Sequence, residues 1–293
     1  MNNAKPIASL HLQPARRGWL ELLIFLLSGF APLSAQFTNT AESAGLNLLH
    51  PTGFPTWPSV PNESSPNLLY SGQASCAVDL NGDGWTDLIL TRYLAPCLVL
   101  INQQDGTFSG DRAAAYGLAG VSDIGSVVAG DFSNSGRQDL FMVPVWGSRY
   151  FLFVNDGNGQ FTERAVGRGA DLTSTLWRHR GQGVALVDTD LDGFLDIHVT
   201  EWGVASSNNN ARHAVLLRNR GAAAPGFFEN RTSASGLTQP HSGNTLFGFA
   251  SLWADFDEDS YPDLMLAGNF STVSYGGTTA RVRFPIAPQR EAS

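Results

Sequence analysis

Aspartates at alternate positions of a short, glycine-containing stretch are the residues of this chain best suited to chemistry. In residues 188–196, aspartates stand at the first, third, fifth and ninth positions, and Gly193 stands at the sixth. Alternate side chains of a tight turn converge on one point, and the glycine allows the left-handed backbone that reverses the chain. A hard cation such as Ca²⁺ binds oxygen ligands of this kind. The sequence therefore predicts a calcium loop here.

The same nine-residue pattern recurs in residues 79–87, 131–139 and 255–263, each time between β-like apolar runs. Repetition in one strand-loop-strand frame favours metal sites over ordinary turns, for which Asp, Asn and Gly are also typical. The last carboxylate stands at position nine, so an EF-hand, with its glutamate at position twelve, fits poorly. The predicted metal ligands, of which the seventh-position residues bind through the backbone carbonyl, are Asp79, Asn81, Asp83, Trp85, Asp87, Asp131, Ser133, Ser135, Asp139, Asp188, Asp190, Asp192, Phe194, Asp196, Asp255, Asp257, Asp259, Tyr261 and Asp263.

The four loops differ in quality. Loop 188–196 ranks first, and loop 79–87, which keeps every oxygen donor and the turn glycine, ranks second. Loop 255–263 ranks third because Ser260 stands where the glycine belongs. Loop 131–139 offers only hydroxyl groups between its end carboxylates, so its occupancy stays open. The side chains at position seven, Trp85, Phe194 and Tyr261, are expected to pack on the neighbouring unit.

Composition excludes several classes of protein. The 293 residues carry a formal net charge of -8, which makes nucleic acid an unsuitable partner. Lys5 is the only lysine, so no Schiff-base or phosphate-loop lysine is available beyond the first residues. The sequence contains neither a Gly-x-Ser-x-Gly elbow nor a His-Glu-x-x-His motif, and its histidines lack metal spacing. We therefore expect that the protein is not an enzyme.

Residues 1–35 have the pattern of a secretory signal peptide. A basic start is followed by an apolar run from Gly18 to Phe30 and by a plausible cleavage site ending at Ala35. No later segment is apolar for long enough to span a membrane. The sequence predicts a secreted or extracytoplasmic protein, periplasmic or at the cell surface. An uncleaved membrane anchor is the alternative.

Two cysteines, Cys76 and Cys97, would be expected to pair in an oxidising compartment. However, they fall in the first strand and at the start of the third strand of one predicted unit. Two strand spacings are about 10 Å, beyond the roughly 7 Å that a disulfide allows between Cα atoms. The spacing argues against a bond between them.

Each unit also contains a Phe-to-Leu phrase: a phenylalanine, a few polar residues and an Ala-rich stretch that closes on leucine, usually through Gly-Leu. The phrases are residues 37–46, 108–118, 161–172, where Asp171 replaces the glycine, and 228–237. A unit thus reads strand, metal loop, strand, turn, strand, turn, strand. Four antiparallel strands in about 50 to 65 residues are typical of a propeller blade. The predicted fold is all-β, a β-propeller over residues 36–284 with a loose tail at 285–293, and the first strands are rich in small residues.

These loops and phrases resemble the FG-GAP or VCBS repeats of integrin-type β-propellers, and most closely the ASPIC/UnbV (cartilage acidic protein) group. The resemblance covers residues 37 to about 270. It implies structural Ca²⁺ in the loops and a binding or adhesion role outside the cytoplasm, with an extracellular protein or glycan as partner. Such propellers usually have seven blades, whereas four are recognisable here.

Two arrangements of the four units remain open. The fourth unit lacks a Phe-to-Leu phrase after its third strand, while the chain begins with a phrase that no loop precedes. The two halves would complete one blade, which gives a four-bladed ring closed by the strand from Phe37. The alternative is part of a larger propeller, as in a truncated fragment of a longer repeat protein.

An aromatic residue follows each loop's last aspartate by six or seven positions: Tyr93, Trp146, Trp202 and Phe270. In a meander these residues lie at the end opposite the metal loops, where exposed aromatics suit sugar stacking or a protein contact. Filling gaps between blades is the plainer interpretation. A polysaccharide-active enzyme on the same scaffold is the alternative function.

Overall fold

The structure is a computed structural model that describes residues 38–46, 74–92, 95–157, 159–174, 179–201, 214–237, 246–270 and 278–282. The chain divides into two compact units, Met1–Thr40 and Ala41–Ser293. Residues 38–40, the described part of the first unit, form neither helix nor strand. The predicted signal peptide (1–35) and tail (285–293) lie outside the described residues, so both stay predictions.

The second unit contains four antiparallel sheets, and the strands of each sheet follow chain order. Sheet 1 consists of β1 (Ser75–Val78), β2 (Asp87–Leu90) and β3 (Leu98–Leu100). Sheet 2 consists of β4 (Ile124–Gly130), β5 (Asp139–Pro144), β6 (Phe151–Asn155) and β7 (Phe161–Glu163). Sheet 3 consists of β8 (Gly181–Val187), β9 (Asp196–Glu201), β10 (Ala214–Asn219) and β11 (Phe228–Asn230). Sheet 4 consists of β12 (Leu246–Ala254), β13 (Asp263–Phe270) and β14 (Thr278–Val282).

Helix is scarce in the described part of the chain. It is limited to α1 (Ala165–Arg168) and to 3₁₀ turns at Ala113–Tyr116 and Gly221–Ala223. None of these helices is long and apolar enough to cross a membrane. The all-β prediction is therefore confirmed at the level of four meandering antiparallel sheets.

Each candidate metal loop closes the hairpin between the first two strands of its sheet in the same register. The residue before the loop pairs with the loop's last aspartate, as Val187 does with Asp196 in sheet 3. The corresponding pairs in the other sheets are Val78 with Asp87, Gly130 with Asp139 and Ala254 with Asp263. Nine residues thus join two strands at the same offset in all four sheets.

The first strands of successive sheets lie next to one another, β1 beside β4, β4 beside β8 and β8 beside β12. Their small residues allow backbones to meet. A Cβ atom at Gly125 would lie 2.5 Å from the carbonyl oxygen of Gly181, and one at Gly183 would lie 3.2 Å from that of Phe249. The predicted crowding of small first-strand residues is confirmed for these strands.

Neighbouring sheets enclose separate apolar cores. In sheet 2, Val127 and Met142 pack toward sheet 1, whereas Phe141 and Val143 pack toward sheet 3, as the alternation of side chains along a strand requires. Phe132 of sheet 2 meets Phe228 of sheet 3 edge to face, with ring centroids 5.5 Å apart. A smaller core that includes Leu216 and Leu264 joins sheets 3 and 4.

The Phe-to-Leu phrases link the outer parts of successive sheets. Gly45, Gly117 and Gly169 have φ angles of 75°, 75° and 70°. A Cβ atom on them would lie 3.3, 2.4 and 2.6 Å from the carbonyl oxygen of the next phrase's phenylalanine, at Phe108, Phe161 and Phe228. The sequence alignment that put Asp171 in the glycine position is wrong. Gly169 is the turn residue, because the amide of Ala170 after it donates to the carbonyl of Ala165. The amide of Leu118, after Gly117, donates to the carbonyl of Ala113 in the same way.

The cysteines are unpaired in the structure. Cys76 lies half-buried in β1 and Cys97 lies buried before β3, with β2 between these two strands. This arrangement agrees with the spacing argument against a disulfide.

We predict that Gly125→Ala destabilises the protein, because its methyl group would collide with the carbonyl oxygen of Gly181 in β8. A backbone atom cannot move away as the end of a flexible side chain could. Overpacking of this kind costs about 1–3 kcal/mol. Thermal unfolding should show a fall in Tm of about 2–4 °C per kcal/mol. Gly110→Ala is the control, because nothing lies within 4 Å of its added Cβ and it should leave Tm nearly unchanged. Equal Tm values for the two variants would contradict the close approach of β4 and β8.

Candidate metal centre

The first aspartate of every loop organises the turn by accepting backbone N–H groups from the fifth and sixth loop residues. In loop 188–196, the carboxylate of Asp188 accepts from Asp192 at 3.0 Å and from Gly193 at 2.8 Å. Asp79, Asp131 and Asp255 accept from the equivalent amides in their loops. A carboxylate oxygen that accepts one N–H keeps a further lone pair for a cation. The loops are thus shaped by their own backbone before any ion is considered.

Two residues of each loop adopt left-handed backbone conformations. At the sixth position, Gly193 has φ 86° and Ser260 has φ 71°, so the serine carries the strain expected where the other loops have glycine. The fourth position is also left-handed, at Gly82, Asn134, Leu191 and Glu258. The sequence analysis missed this second position. Gly82 and Asn134, two residue types that tolerate this conformation, were the available signal.

The last aspartate of each loop is buried and ties the loop to the sheet. Asp87 and Asp196 are fully buried. Asp196 accepts the amide of Thr189 at 3.1 Å and that of Asn219 at 2.8 Å. Burial raises the pKa of Asp139 and of Asp196 to about 6, and it also raises the pKa of Asp87. For these carboxylates, burial outweighs the hydrogen bonds and, at Asp139, the charges of Arg168 and Arg137, which lower the pKa.

An asparagine at the end of the third strand completes the link. The side-chain amides of Asn102, Asn155 and Asn219 donate to the carbonyl of the eighth loop residue, and their backbone amides donate to the last aspartate. The sequence analysis did not assign these asparagines. Their signal was an asparagine before a glycine-containing turn in three units. They position the loop rather than contribute predicted ligands.

The structure brings carboxylates together in two of the loops. One oxygen each from Asp188, Asp190 and Asp192 lie within 4.8 Å of one another. Asp255, Asp257 and Asp263 form a second such group. Burial raises the pKa of Asp192, and the charges of Asp190 and Asp188 raise it further. Groups of oxygen donors at these separations fit a hard cation such as Ca²⁺, whose ligand distances are about 2.3–2.6 Å.

The other two loops differ from these. Asp79, Asp83 and Asp87 do not form such a group among the described residues, although the sequence ranks their loop second; Asn81 instead donates to Asp83 at 3.1 Å. In loop 131–139, Oδ2 of Asp139 is buried and has no hydrogen-bond partner among the residues that the structure describes. In the other loops the same oxygen accepts the amide of the second loop residue. An orphaned, buried carboxylate oxygen also fits a cation.

The chain was compared with known proteins. The segment from the first loop into β5 matches the family described as FG-GAP-like repeat. The match covers residues 79–142. The resemblance inferred from the loops and phrases is confirmed. FG-GAP-like sequence thus coincides with the part of the fold that contains two of the aspartate loops.

Curated relatives point to the same group. Cartilage acidic protein 1 of Xenopus tropicalis is 25% identical over 234 residues, which are 76% of this chain and 33% of that protein. The proteins of the same name from Mus musculus and Homo sapiens are each 26% identical over 230 residues, 74% of this chain and 32% or 31% of theirs. The chain therefore spans about a third of the length of the curated relatives it matches.

A solved structure, titled for specific recognition of non-reducing terminal N-acetylglucosamine by an Agrocybe aegerita lectin, is 16% identical. It covers 69% of this chain and 50% of its own, with a TM-score of 0.37. A likeness at this TM-score carries no inference about this chain.

The seventh-position side chains do not behave alike. Phe194 and Tyr261 are half-buried, whereas Trp85 is 46% exposed. That all three pack on a neighbouring unit stays a prediction, and the exposed fraction of Trp85 shows that any packing there is incomplete.

The predicted aromatic face is described at one residue. Trp146 lies in the turn between β5 and β6, half-buried, with the guanidinium carbon of Arg180 4.3 Å from the centre of its ring. Phe270 ends β13, and Tyr93 and Trp202 lie outside the described residues. Trp146 therefore joins sheet 2 to the segment before β8, as the gap-filling interpretation expects.

Buried histidines fasten sheet 3 to its neighbours. His179 Nδ1 lies 2.6 Å from Glu201 Oε1, which also accepts from the hydroxyl of Tyr150 at 2.6 Å. His198 Nδ1 lies 3.0 Å from Ser251 Oγ, and burial lowers its pKa to about 3. These contacts hold sheets 2 and 4 against sheet 3.

We predict that calcium stabilises the protein more at about pH 7 than at about pH 5. The folded-state pKa of Asp139 and Asp196 is about 6, above the roughly 3.9 of an unfolded aspartate. Below the unfolded-state pKa, both carboxyl groups are protonated in the folded and in the unfolded state, and their contribution to stability is complete. That contribution is lost as the pH rises through the folded-state pKa of about 6. Calcium requires ionised carboxylates, so it should compensate for the loss.

The measurement is Tm of the protein, freed of metal by dialysis, with and without calcium at each pH. The calcium-free Tm should fall between about pH 5 and pH 7, and the calcium-induced increase should grow over the same range. A calcium effect that is as large at the lower pH would contradict the assignment of these carboxylates.

Proposed function

We propose that this chain is a secreted FG-GAP repeat protein that binds calcium and acts as a binding or adhesion module. The grouping of Asp188, Asp190 and Asp192 within 4.8 Å, in a loop held by its own amides, is the observation that carries the proposal. Calcium is structural in this proposal, because the loops connect strands and lie at the bends of the sheets. The similarity to cartilage acidic protein 1 supports it.

The ligand of this module is an extracellular protein or a glycan. Its calcium ions would be held by the aspartates of the four loops, with the predicted carbonyls of Trp85, Phe194 and Tyr261. The net charge of -8 disfavours nucleic acid, and the ions would neutralise much of that charge. Export through the predicted signal peptide would leave a mature chain that starts near Gln36, which N-terminal sequencing of the exported protein can test.

The first test is the calcium stoichiometry of the purified chain by isothermal titration calorimetry, together with Tm in calcium and in chelator. Asp192→Ala should reduce the calcium-induced increase in Tm more than Asp139→Ala, because Asp192 belongs to an assembled triad. The comparison uses the calcium-induced increase in Tm of each variant rather than its absolute Tm. Replacement of the buried Asp139 lowers stability with or without calcium, and this effect cancels in the increase. The absence of calcium binding, or equal losses in both variants, would overturn this account.

We further propose that the four sheets are propeller blades and that the ring is closed by the N-terminal phrase. A Cβ atom on Gly45 would lie 3.3 Å from the carbonyl oxygen of Phe108, as one on the glycine of a preceding blade would, whereas one on Gly236 would lie within 4 Å of no residue that the structure describes. Sheet 4 has three strands in the described residues. Leu252 and Met265, on its outer face, are 56% and 39% exposed.

The equivalents of Met265 in sheets 1 to 3, two residues after the last loop aspartate, are Ile89, Phe141 and His198. All three are fully buried against the next sheet. The outer face of sheet 4 therefore resembles the faces that contact a neighbouring blade in sheets 1 to 3. In a closed ring, sheet 1 and the phrase at 37–46 would pack against this face.

Ring closure predicts that Met265→Glu lowers Tm. Burial of a methionine is worth about 1.5–3 kcal/mol, so the loss should be about 5 °C. Val166→Glu, at a residue that is 65% exposed on α1, is the matched control and should change Tm little. If the two variants unfold at the same temperature as the unmodified protein, the ring is open at sheet 4.

A further inference from the structure

A cation of the protein itself lies against the carboxylate triad of loop 188–196. Arg218 Nε is 2.5 Å from Asp190 Oδ2, and its Nη2 pairs with the same oxygen. Nη2 also lies 3.7 Å from Asp192 Oδ2. Asp190 and Asp192 are two of the three carboxylates that assemble in this loop. The guanidinium therefore uses oxygens that a metal would need.

Arg218 is held in place from a second side. Its Nη1 lies 3.4 Å from Glu229 Oε1 on β11, so the guanidinium bridges the loop and the outer strand of sheet 3. The side chain is 31% exposed, and those of Asp190 and Asp192 are 34% and 28% exposed. Partial burial weakens the screening of these charges by water, and three carboxylates around one guanidinium form a network rather than an isolated pair.

The arginine is not part of the repeated scaffold. It stands directly before Asn219, the asparagine that anchors the loop. In sheets 1 and 2 the residue before the anchoring asparagine is Ile101 or Val154. An aliphatic side chain is therefore sufficient for the strand at this position, and the positive charge is a property of the third unit.

We propose that Arg218 is a built-in counter-cation that competes with Ca²⁺ for loop 188–196. It neutralises Asp190 and Asp192 when no metal is bound, so the loop keeps its shape without calcium. Calcium must displace the guanidinium from Asp190 Oδ2 and then binds more weakly than in the same loop without the arginine. The arginine thus reduces the calcium dependence of the loop that has the best ligand pattern in the sequence. This inference rests on the proposed calcium function.

The test replaces Arg218 in the full chain by the residue type of sheet 1, as Arg218→Ile. The matched control is Arg231→Ile, because Arg231 Nε lies 3.5 Å from the same Glu229 oxygen in the adjoining turn. Calcium binding is measured by isothermal titration calorimetry, and Tm is measured in calcium-free buffer. The expected result for Arg218→Ile is about tenfold tighter binding at one site, as for removal of a charged competitor. Its calcium-free Tm should fall by a few degrees, and Arg231→Ile should change neither quantity.

Each other outcome overturns the inference. Unchanged affinity and Tm would mean that Arg218 forms only an exposed ion pair. Weaker binding in Arg218→Ile would mean that the arginine orients Asp190 for the metal. Arg218→Lys serves as the second variant if Arg218→Ile does not fold. It keeps the charge but loses the two-nitrogen contact, so its affinity for calcium should be higher than that of the unmodified protein.

The failure of the proposed function has a separate signature. In that case neither the unmodified protein nor any variant binds calcium, and chelator leaves every Tm unchanged. If only the inference fails, the unmodified protein still binds calcium, with an affinity equal to or higher than that of Arg218→Ile.

Discussion

Carboxylates crowded at the bend between the first and second strands are the constraint on which the rest of the structure depends. Two unit charges 4 Å apart repel by about 1 kcal/mol in bulk water and by more where water is thin. Asp188 and its equivalents relieve part of this cost by accepting two backbone amides each. The remaining lone pairs still face a small common space. The backbone therefore prepares a site that needs positive charge, either from an ion or from a side chain such as Arg218.

The bend also sets the register of the sheets. Since Val187 pairs with Asp196 at the closure of the loop, the pairs that follow are fixed as far as Gly183 with Thr200, where a bulge shifts the register of β8 and β9. Asn219 extends the same control to the third strand by bonding both Asp196 and the carbonyl of Leu195. One nine-residue loop thus positions three strands. A change in the charge of the loop should therefore change the stability of the whole sheet.

Packing between sheets follows from a different feature, the small residues of the first strands. Gly125 and Gly183 let neighbouring backbones approach, and the larger side chains of the second and third strands fill the space farther out. This gradient of side-chain size lets successive sheets converge along one edge. It also leaves each sheet dependent on a neighbour, because Phe141 and Ile89 are buried only where a next sheet covers them. Met265, at the equivalent position of sheet 4, is exposed.

Several details were beyond prediction from the sequence for identifiable reasons. The left-handed fourth loop position was hidden because Leu191 and Glu258 occupy it in two loops, although such residues rarely adopt that conformation. The turn at Gly169 was shifted by two residues, because a leucine at position 172 imitates the end of the phrase. Asn219 is 23 residues from Asp196, so its role depends on strand pairing that no local pattern displays.

The sequence by itself determined the loops, the strands that flank them and the repeat, because these depend on residues within nine positions of one another and on alternation along single strands. The tertiary structure alone decided which carboxylates converge, that Trp85 is more exposed than Phe194 and Tyr261, and that Arg218 pairs with Asp190 from 28 residues away. Those outcomes depend on which strands lie side by side and how closely, and the energies that decide them come from contacts between segments distant in the chain.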